Sequence, residues 1–298
     1  MKHSRTSVSV MSFAEAARGF EMVPPTGKGR FLTRRRRVRL GDVSPGGRLR
    51  LDATLRFLQD VANDDARDAG WDDPGWVVRR SVVDVVKFPQ YLQEVDLTTW
   101  CGALSPHWAE RRTRITSVDG ETLIDTAALW VHVDLATMRP SKVPDEVAAD
   151  LKEAANGRSI SGKLILRGNY FDEHPLEVVT QQWTLRYSDF DFLKHMNNAA
   201  YWEILEDHLK YRRELRNGVR AVMEHIVQVE PQHHLIQQYD DRNDGISIRL
   251  MVEDVVHAKR GLECCNREQR VVCYSITYSK TPSLERCSNS PDKRRCSR

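Results

Sequence analysis

Two stretches of this chain, 147 residues apart, share one pattern, and a duplicated unit is the strongest constraint on what the chain can fold into. The first begins at Val38 and reads VRLGDVSPGGRLRLDATLRFLQD; the second begins at Leu185 and reads LRYSDFDFLKHMNNAAYWEILED. Without a gap, Arg39 falls on Arg186, Asp42 on Asp189, Leu58 on Leu205 and Asp60 on Asp207. Each copy runs from a short alternating segment into an amphipathic one. Leu51, Leu55, Leu58, Ala62 and Ala66 recur at helical spacing, with Gly70 placed to stop the helix. Tyr201, Ile204, Leu205, His208 and Leu209 repeat the pattern ahead of Gly218.

The segments C-terminal to the two helices also match. WVVRRSVVDVVKFPQ, VDLTTWCGAL and AERRTRITSVDGETLIDTAALWVHVDL are rich in Val, Thr and Trp, and Asp119-Gly120 marks a hairpin turn in the last. The second copy answers with RAVMEHIVQVEPQ and ISIRLMVEDVVHA, with Glu253-Asp254 at the corresponding turn, and Pro89-Gln90 and Pro231-Gln232 close equivalent first strands. Each half is then one helix wrapped by curved antiparallel strands, an α+β arrangement. Repeated in tandem, it predicts a double hotdog. The expected divisions are a loose extension over 1–29, a first half over 30–145, a linker over 146–165, a second half over 166–258 and an atypical tail over 259–298.

Composition narrows the class without naming it. With 40% apolar and 29% charged residues in 298, the chain is neither collagen-like nor fully disordered nor a disulfide scaffold. The net charge of +3 conceals a partition: residues 1–37 hold 9 basic and 2 acidic side chains, 259–298 hold 10 and 4, and the body between is acidic. Cysteine obeys the same division, since Cys101 is alone in the body while Cys264, Cys265, Cys273, Cys287 and Cys296 crowd the tail without a CxxC pair, which gives no zinc signature and no metal site. One isolated thiol in the body suits a reducing cytoplasm. No apolar run is long enough to span a bilayer, and the first twenty residues lack the unbroken apolar stretch of a secretory signal. The acidic body, with no known binding module, speaks against nucleic acid.

The densest chemistry lies in the second copy's run from Asp189 to Tyr201. Asp191 precedes His195 by four residues, and Asn197 and Asn198 come just after, at the expected start of a helix. A helix start offers unpaired N–H groups and a positive dipole end to a carbonyl oxygen gaining charge. Asp191 could act as base or nucleophile, His195 could orient water or carry a proton, and Asn197 or Asn198 could hold the loop or donate to that oxygen. A plainer role is also open: Asp189 or Asn197 could cap the helix. Tyr201 reads as a core residue that faces a substrate tunnel at best. At the positions of Asp191, His195, Asn197 and Asn198 the first copy carries Ser44, Arg48, Arg50 and Leu51, so one active site per chain is expected. Asn63 on the first helix could face it.

The run Arg186-Tyr-Ser-Asp-Phe-Asp191-Phe-Leu-Lys-His195-Met-Asn197-Asn198-Ala-Ala-Tyr201 resembles the signature of the acyl-acyl-carrier-protein thioesterases, double-hotdog enzymes of plants and bacteria. FLQDVANDDARDAGW resembles their first-domain helix and WVVRRSVVDVVKFPQYLQEVDLTTW the strands behind it, so the likeness covers about residues 30–258. The resemblance implies hydrolysis of fatty acyl thioesters, without a cofactor, on acyl carrier protein in fatty acid biosynthesis. Coenzyme A as the carrier, or acyl binding without turnover, are the alternatives. The acidic carrier would dock on basic patches, Arg35 and Arg36 among them. A homodimer is compatible with the pattern. The chain departs from the plant pattern at Leu193, where those enzymes carry Asn, and at Gln228-Val229, where they carry Glu-Cys. Water activation then falls on Asp191 and His195, with Glu224 or Glu230 as assistants. From about residue 259 the sequence ceases to match the repeat, and only residues 270–279 could replace the missing strand.

Overall fold

The computed structural model describes residues 20–166, 178–213, 218–242, 245–253, 269–274 and 278–280. The first half contains β1 (Phe31–Arg37), α1 (Leu51–Asp68), β2 (Trp76–Val85), β3 (Glu94–Ser105), β4 (Trp108–Ser117), β5 (Thr122–Asp134) and the short β6 (Arg139–Pro140). Helix α2 (Asp145–Ala155) comes next. The second half contains β7 (Val179–Trp183), α3 (Tyr201–Leu209), β8 (Val219–His225), β9 (His234–Arg242), β10 (Gly245–Glu253), β11 (Gln269–Tyr274) and β12 (Tyr278–Lys280).

The strands join in one antiparallel sheet of order β1-β3-β4-β5-β2-β8-β11-β10-β9-β7. From each outer edge inward the two halves have the same order, 1-3-4-5-2 against 7-9-10-11-8, so the repeat in sequence is a repeat in topology. The halves meet where β2 pairs with β8, from Arg80 opposite Glu224 to Val85 opposite Val219. β11, from the tail, lies between β8 and β10, and β12 pairs with both.

Strand alternation assigns the two faces of this junction. Val83, Val85, Val219, Ala221 and Met223 point inward, where α1 and α3 pack against one another and bury Leu51, Leu55, Phe57, Trp202, Ile204 and Leu205. Val82 and Val222 point outward and are covered by Phe20, Met22, Ile165 and Leu166. α1 ends as the sequence predicts, with Gly70 at φ +73° after the last turn, and Gly120 at φ +86° closes the β4–β5 hairpin.

The segment read as a linker is half helix. Val147, Leu151, Ala154 and Ala155 recur one turn apart, and α2 buries them with Cys101, Ala109 and Val143. Beyond α2, Ile165 and Leu166 donate their N–H groups at 2.7 and 3.1 Å to the fully buried Glu224 carboxylate. Glu224 shares the outward face of Val222, so it secures the connection between the halves and stands apart from the helices. It is therefore no assistant to Asp191.

Candidate active site

The loop that carries the candidate residues is a tight hairpin, and the first half contains its backbone twin. Arg186 N–H donates to Asp189 Oδ2 at 2.8 Å, as Arg39 N–H does to Asp42 Oδ2 at 2.8 Å. Phe190 bridges Met196 as Val43 bridges Leu49. Asp191 N–H donates to the His195 carbonyl at 3.1 Å and Lys194 N–H to that of Asp191 at 2.9 Å; in the first half Ser44 to Arg48 and Gly47 to Ser44 are both 2.8 Å. Asn197 N–H reaches the Asp189 carbonyl at 2.8 Å, and Arg50 N–H that of Asp42 at 2.9 Å. The turn needs a left-handed residue: Gly47 has φ +80° and Lys194 has φ +62°. A non-glycine residue adopts that conformation at a cost of about 1–2 kcal/mol.

Side chains distinguish the twins. Asp191 Oδ1 accepts the Leu193 N–H at 3.0 Å, and Oδ2 lies 3.5 Å from Asn197 Nδ2, the outer limit of a hydrogen bond. Asn197 Oδ1 accepts the Ala199 N–H at 2.9 Å, so Asn197 ties the turn before α3 back to the carboxylate. Asp189 is buried and serves the turn at Arg186, and the residue before α3, Ala200, offers no side-chain cap. In the first half Arg48 holds Glu206 of α3 with contacts of 2.6 and 3.2 Å, and Arg50 pairs with Asp52 at 2.9 Å. That loop is closed by ion pairs.

Asp191 and Asn197 open onto a cavity of about 470 Å³ between the loop and the first half. α1 contributes Gln59, Asp60, Ala62 and Asn63, and β3–β5 contribute Trp100, Cys101, Ala109 and Trp130. An ionic cluster also lines it: Arg111 and Arg30 reach the two oxygens of Asp65 at 2.6 and 2.9 Å. Asn198 faces a smaller apolar cavity of about 40 Å³ with Leu55, Leu58, Ala62 and Gln59. Partial burial holds the Asp60 carboxyl above its usual range against the pull of Arg36. Burial pushes the Cys101 thiol up to about 12, which leaves it protonated and inert as a nucleophile.

The structure thus brings Asp191, Asn197 and Asn63 to one cavity, with Asn198 on its neighbour. His195 is half-buried on the same loop and is not among the residues lining the larger cavity. Tyr201 is a core residue, its ring edge-on to His225 at 5.1 Å. Arg35 and Arg36 lie on the edge strand β1 and are not among the residues lining these cavities. Arg35 pairs with Asp96 through two contacts of 2.8 and 2.9 Å, and Arg36 with Asp64 at 2.9 Å. The arginine run clasps the edge strand to acidic neighbours. Sequence reasoning missed Gln59 and Asp60, although Gln59 stands one turn before Asn63 on the same helix face.

Comparison with known proteins agrees with this architecture. The model of the acyl-ACP thioesterase N-terminal domain matches residues 29–151, and that of the C-terminal domain matches residues 173–260. An uncharacterized protein of Mycobacterium tuberculosis is 27% identical over 226 residues, which are 74% of this chain and 87% of that protein. The palmitoyl-acyl carrier protein thioesterase of Gossypium hirsutum is 28% identical over 198 residues, 55% of this chain and 47% of the plant protein, so the chain spans about half of that relative. Among solved structures, the 12:0-ACP thioesterase of Umbellularia californica superposes with a TM-score of 0.62 at 19% identity, covering 83% of this chain and 96% of that one. An acyl-ACP thioesterase of Bacteroides thetaiotaomicron gives 0.63 at 18%, covering 84% and 98%. At such identities the likeness establishes the fold, which is the tandem double hotdog.

Proposed function

The chain belongs to the acyl-acyl-carrier-protein thioesterase family, whose members are thioester hydrolases, and on that premise we propose that it cleaves fatty acyl groups from acyl carrier protein and releases the free acid, with Asp191, His195, Asn197 and Asn198 as its working residues. The observation that carries this reading is the asymmetry of the twin loops. One presents a carboxylate and an amide to a tryptophan-lined cavity, and the other is sealed by Arg48 and Glu206.

In the proposed reaction a water molecule held by the Asp191 carboxylate attacks the thioester carbon and gives one proton to Asp191. The tetrahedral intermediate then expels the thiolate, and the C–S bond breaks. That proton passes to the leaving sulfur, with the His195 imidazole as the carrier suited to the transfer. Asn197 fixes the carboxylate, and the acyl chain extends past Ala62 toward Trp100 and Trp130. Delivery by a carrier protein rests on the family, because Arg35 and Arg36 are engaged with Asp96 and Asp64 and lend docking no support.

The test uses purified protein with radiolabelled acyl groups of graded length on acyl carrier protein and on coenzyme A. Release of free fatty acid, preferentially from the carrier protein and reduced at least about 1,000-fold by Asp191→Asn, is the expected result, a loss in keeping with removal of an essential acid-base group. His195→Ala is expected to reduce it about 100-fold. Tight binding of acyl substrate with no release overturns the reading.

A further inference from the structure

The doubled architecture assigns a role to a residue of the half that lacks the catalytic loop. Glu206 of α3 faces the first-half loop. It accepts the Leu51 N–H at 3.1 Å as well as the Arg48 guanidinium, and so occupies the start of α1. The repeat places Gln59 at the position of Glu206, His195 at that of Arg48 and Asn198 at that of Leu51. Gln59 lies on α1 across from the second loop and lines three adjoining cavities. It shares one with Asp191 and Asn197, another with Asn197 and Glu203, and the third with Asn198. Among the described residues neither the Gln59 amide nor the Asn198 N–H has a hydrogen-bond partner, whereas their counterparts, Glu206 and the Leu51 N–H, bond to one another.

We propose that Gln59 is a catalytic residue of the thioester site: its side-chain amide donates a hydrogen bond to the thioester carbonyl oxygen, beside the Asn198 N–H, as that oxygen gains charge. The assignment rests on the hydrolase reading above. The change from Glu206 to its counterpart Gln59 is the change this chemistry needs. A carboxylate at position 59 would accept the Asn198 N–H, as Glu206 accepts that of Leu51, and would stand beside Asp60 and Asp191, where a third negative charge opposes the developing oxyanion. An amide is neutral and supplies two N–H donors. Placed before reaction starts, such a donor strengthens its bond as the carbonyl becomes an alkoxide.

The experiment pairs turnover with a spectroscopic readout. Gln59→Ala and the isosteric Gln59→Glu are compared with wild type using decanoyl-pantetheine for kcat and KM. A decanoyl-coenzyme A analogue, with CH₂ in place of sulfur and ¹³C at the carbonyl, is used for infrared spectra of the bound state. Circular dichroism confirms that each variant is folded. We expect kcat to fall about 100-fold in both variants with KM changed less than about threefold, the size of effect seen when one oxyanion donor is removed. The carbonyl band, moved to lower frequency on binding wild type, should return toward its solution position in both. An unmoved band, or a Gln59→Glu variant with wild-type kcat, overturns the assignment while leaving hydrolysis intact. If wild type releases no acid, the hydrolase reading fails, and the band shift alone then decides whether Gln59 touches the carbonyl.

Discussion

The Arg48–Glu206 pair closes one of two equivalent loops, and its contribution to stability can be measured. The two side chains are only 9% and 11% exposed, with Nη2 to Oε1 at 2.6 Å, and Arg48 stacks over the Phe88 ring with its Cζ 4.6 Å from the ring centre. Glu206→Ala would strand a guanidinium in a nearly dry site and would also leave the Leu51 N–H without its acceptor. Breaking a buried pair from one side costs about 3–5 kcal/mol, so a loss of about 4 kcal/mol is expected, a large share of the roughly 5–15 kcal/mol by which a domain is stable. Replacing both partners, as Arg48→Met with Glu206→Leu, removes the charges together and should cost less than about 2 kcal/mol. Urea unfolding of wild type, Arg48→Met, Glu206→Leu and the double variant supplies the cycle, with Glu206→Ala measured beside it. Burial holds the Glu206 carboxyl above its usual range even against Arg48. A carboxyl with a raised folded pKa gives stability that is present below its unfolded value and lost as pH rises through the folded one. Arg48→Met, which removes the cation, should therefore be more stable at about pH 5 than at about pH 7. Because the pair lies in the loop opposite Asp191, kcat of the folded double variant should stay within about threefold of wild type. A Glu206→Ala loss below about 1 kcal/mol, or a double variant worse than the sum of the singles, would refute the closing role.

The same geometry sets three other expectations. Burial and Arg79 hold the His225 imidazole at about 4, against 6.5 for the free group, and among the described residues its buried Nε2 has no partner. A lowered histidine gives stability that is present above its unfolded pKa and lost as pH falls toward the folded one, so about 2 kcal/mol should disappear between about pH 7 and 5; His225→Phe should flatten this slope in urea titrations, and an unchanged slope would exclude His225 as its source. Arg35→Ala with Arg36→Ala should leave KM for acyl carrier protein and coenzyme A substrates equally unaffected and cost about 1 kcal/mol or less of stability per exposed pair; a rise for the carrier protein alone would restore the docking role. Ala62→Leu narrows both cavities it lines and should shift the acyl profile, read by mass spectrometry, toward shorter chains, whereas an unchanged profile would place the acyl chain elsewhere.

Much of this molecule is legible in the sequence where local and distant constraints agree. In α1, apolar spacing, Gly70 and the packing partner all point one way, and the Asp119-Gly120 turn sits between alternating strands. The loop from Asp189 to Asn197 stands out because four reactive side chains fall within nine positions. Strand β9 does not stand out. Its run HLIQQYDDR is polar, yet Gln237 and Asp240 are buried, and polar groups are admitted to an interior only by partners distant in the chain. The ion pairs of the arginine run are hidden in the sequence for the same reason. Its charges are answered by Asp64, Asp96 and Glu94, which lie 28 to 61 residues away and which only pairing of β1 with β3 and contact with α1 bring near.

Each half provides what the other cannot. The second half brings a loop with a carboxylate, and keeping the twin backbone there requires Lys194 to occupy a left-handed position that Gly47 fills freely. The first half brings Gln59, Asn63 and the tryptophan-lined space, but its own loop faces Glu206. Had both loops carried aspartate, each would need an open cavity under the opposite helix, and α3 instead buries Trp202, Ile204 and Leu205 against the sheet. Among the described cavities, the loop with Asp191 opens onto the space under α1, whereas the loop with Arg48 meets Glu206 of α3. The β2–β8 pairing that fuses the two halves of the sheet links the half that carries the loop to the half that lines the cavity.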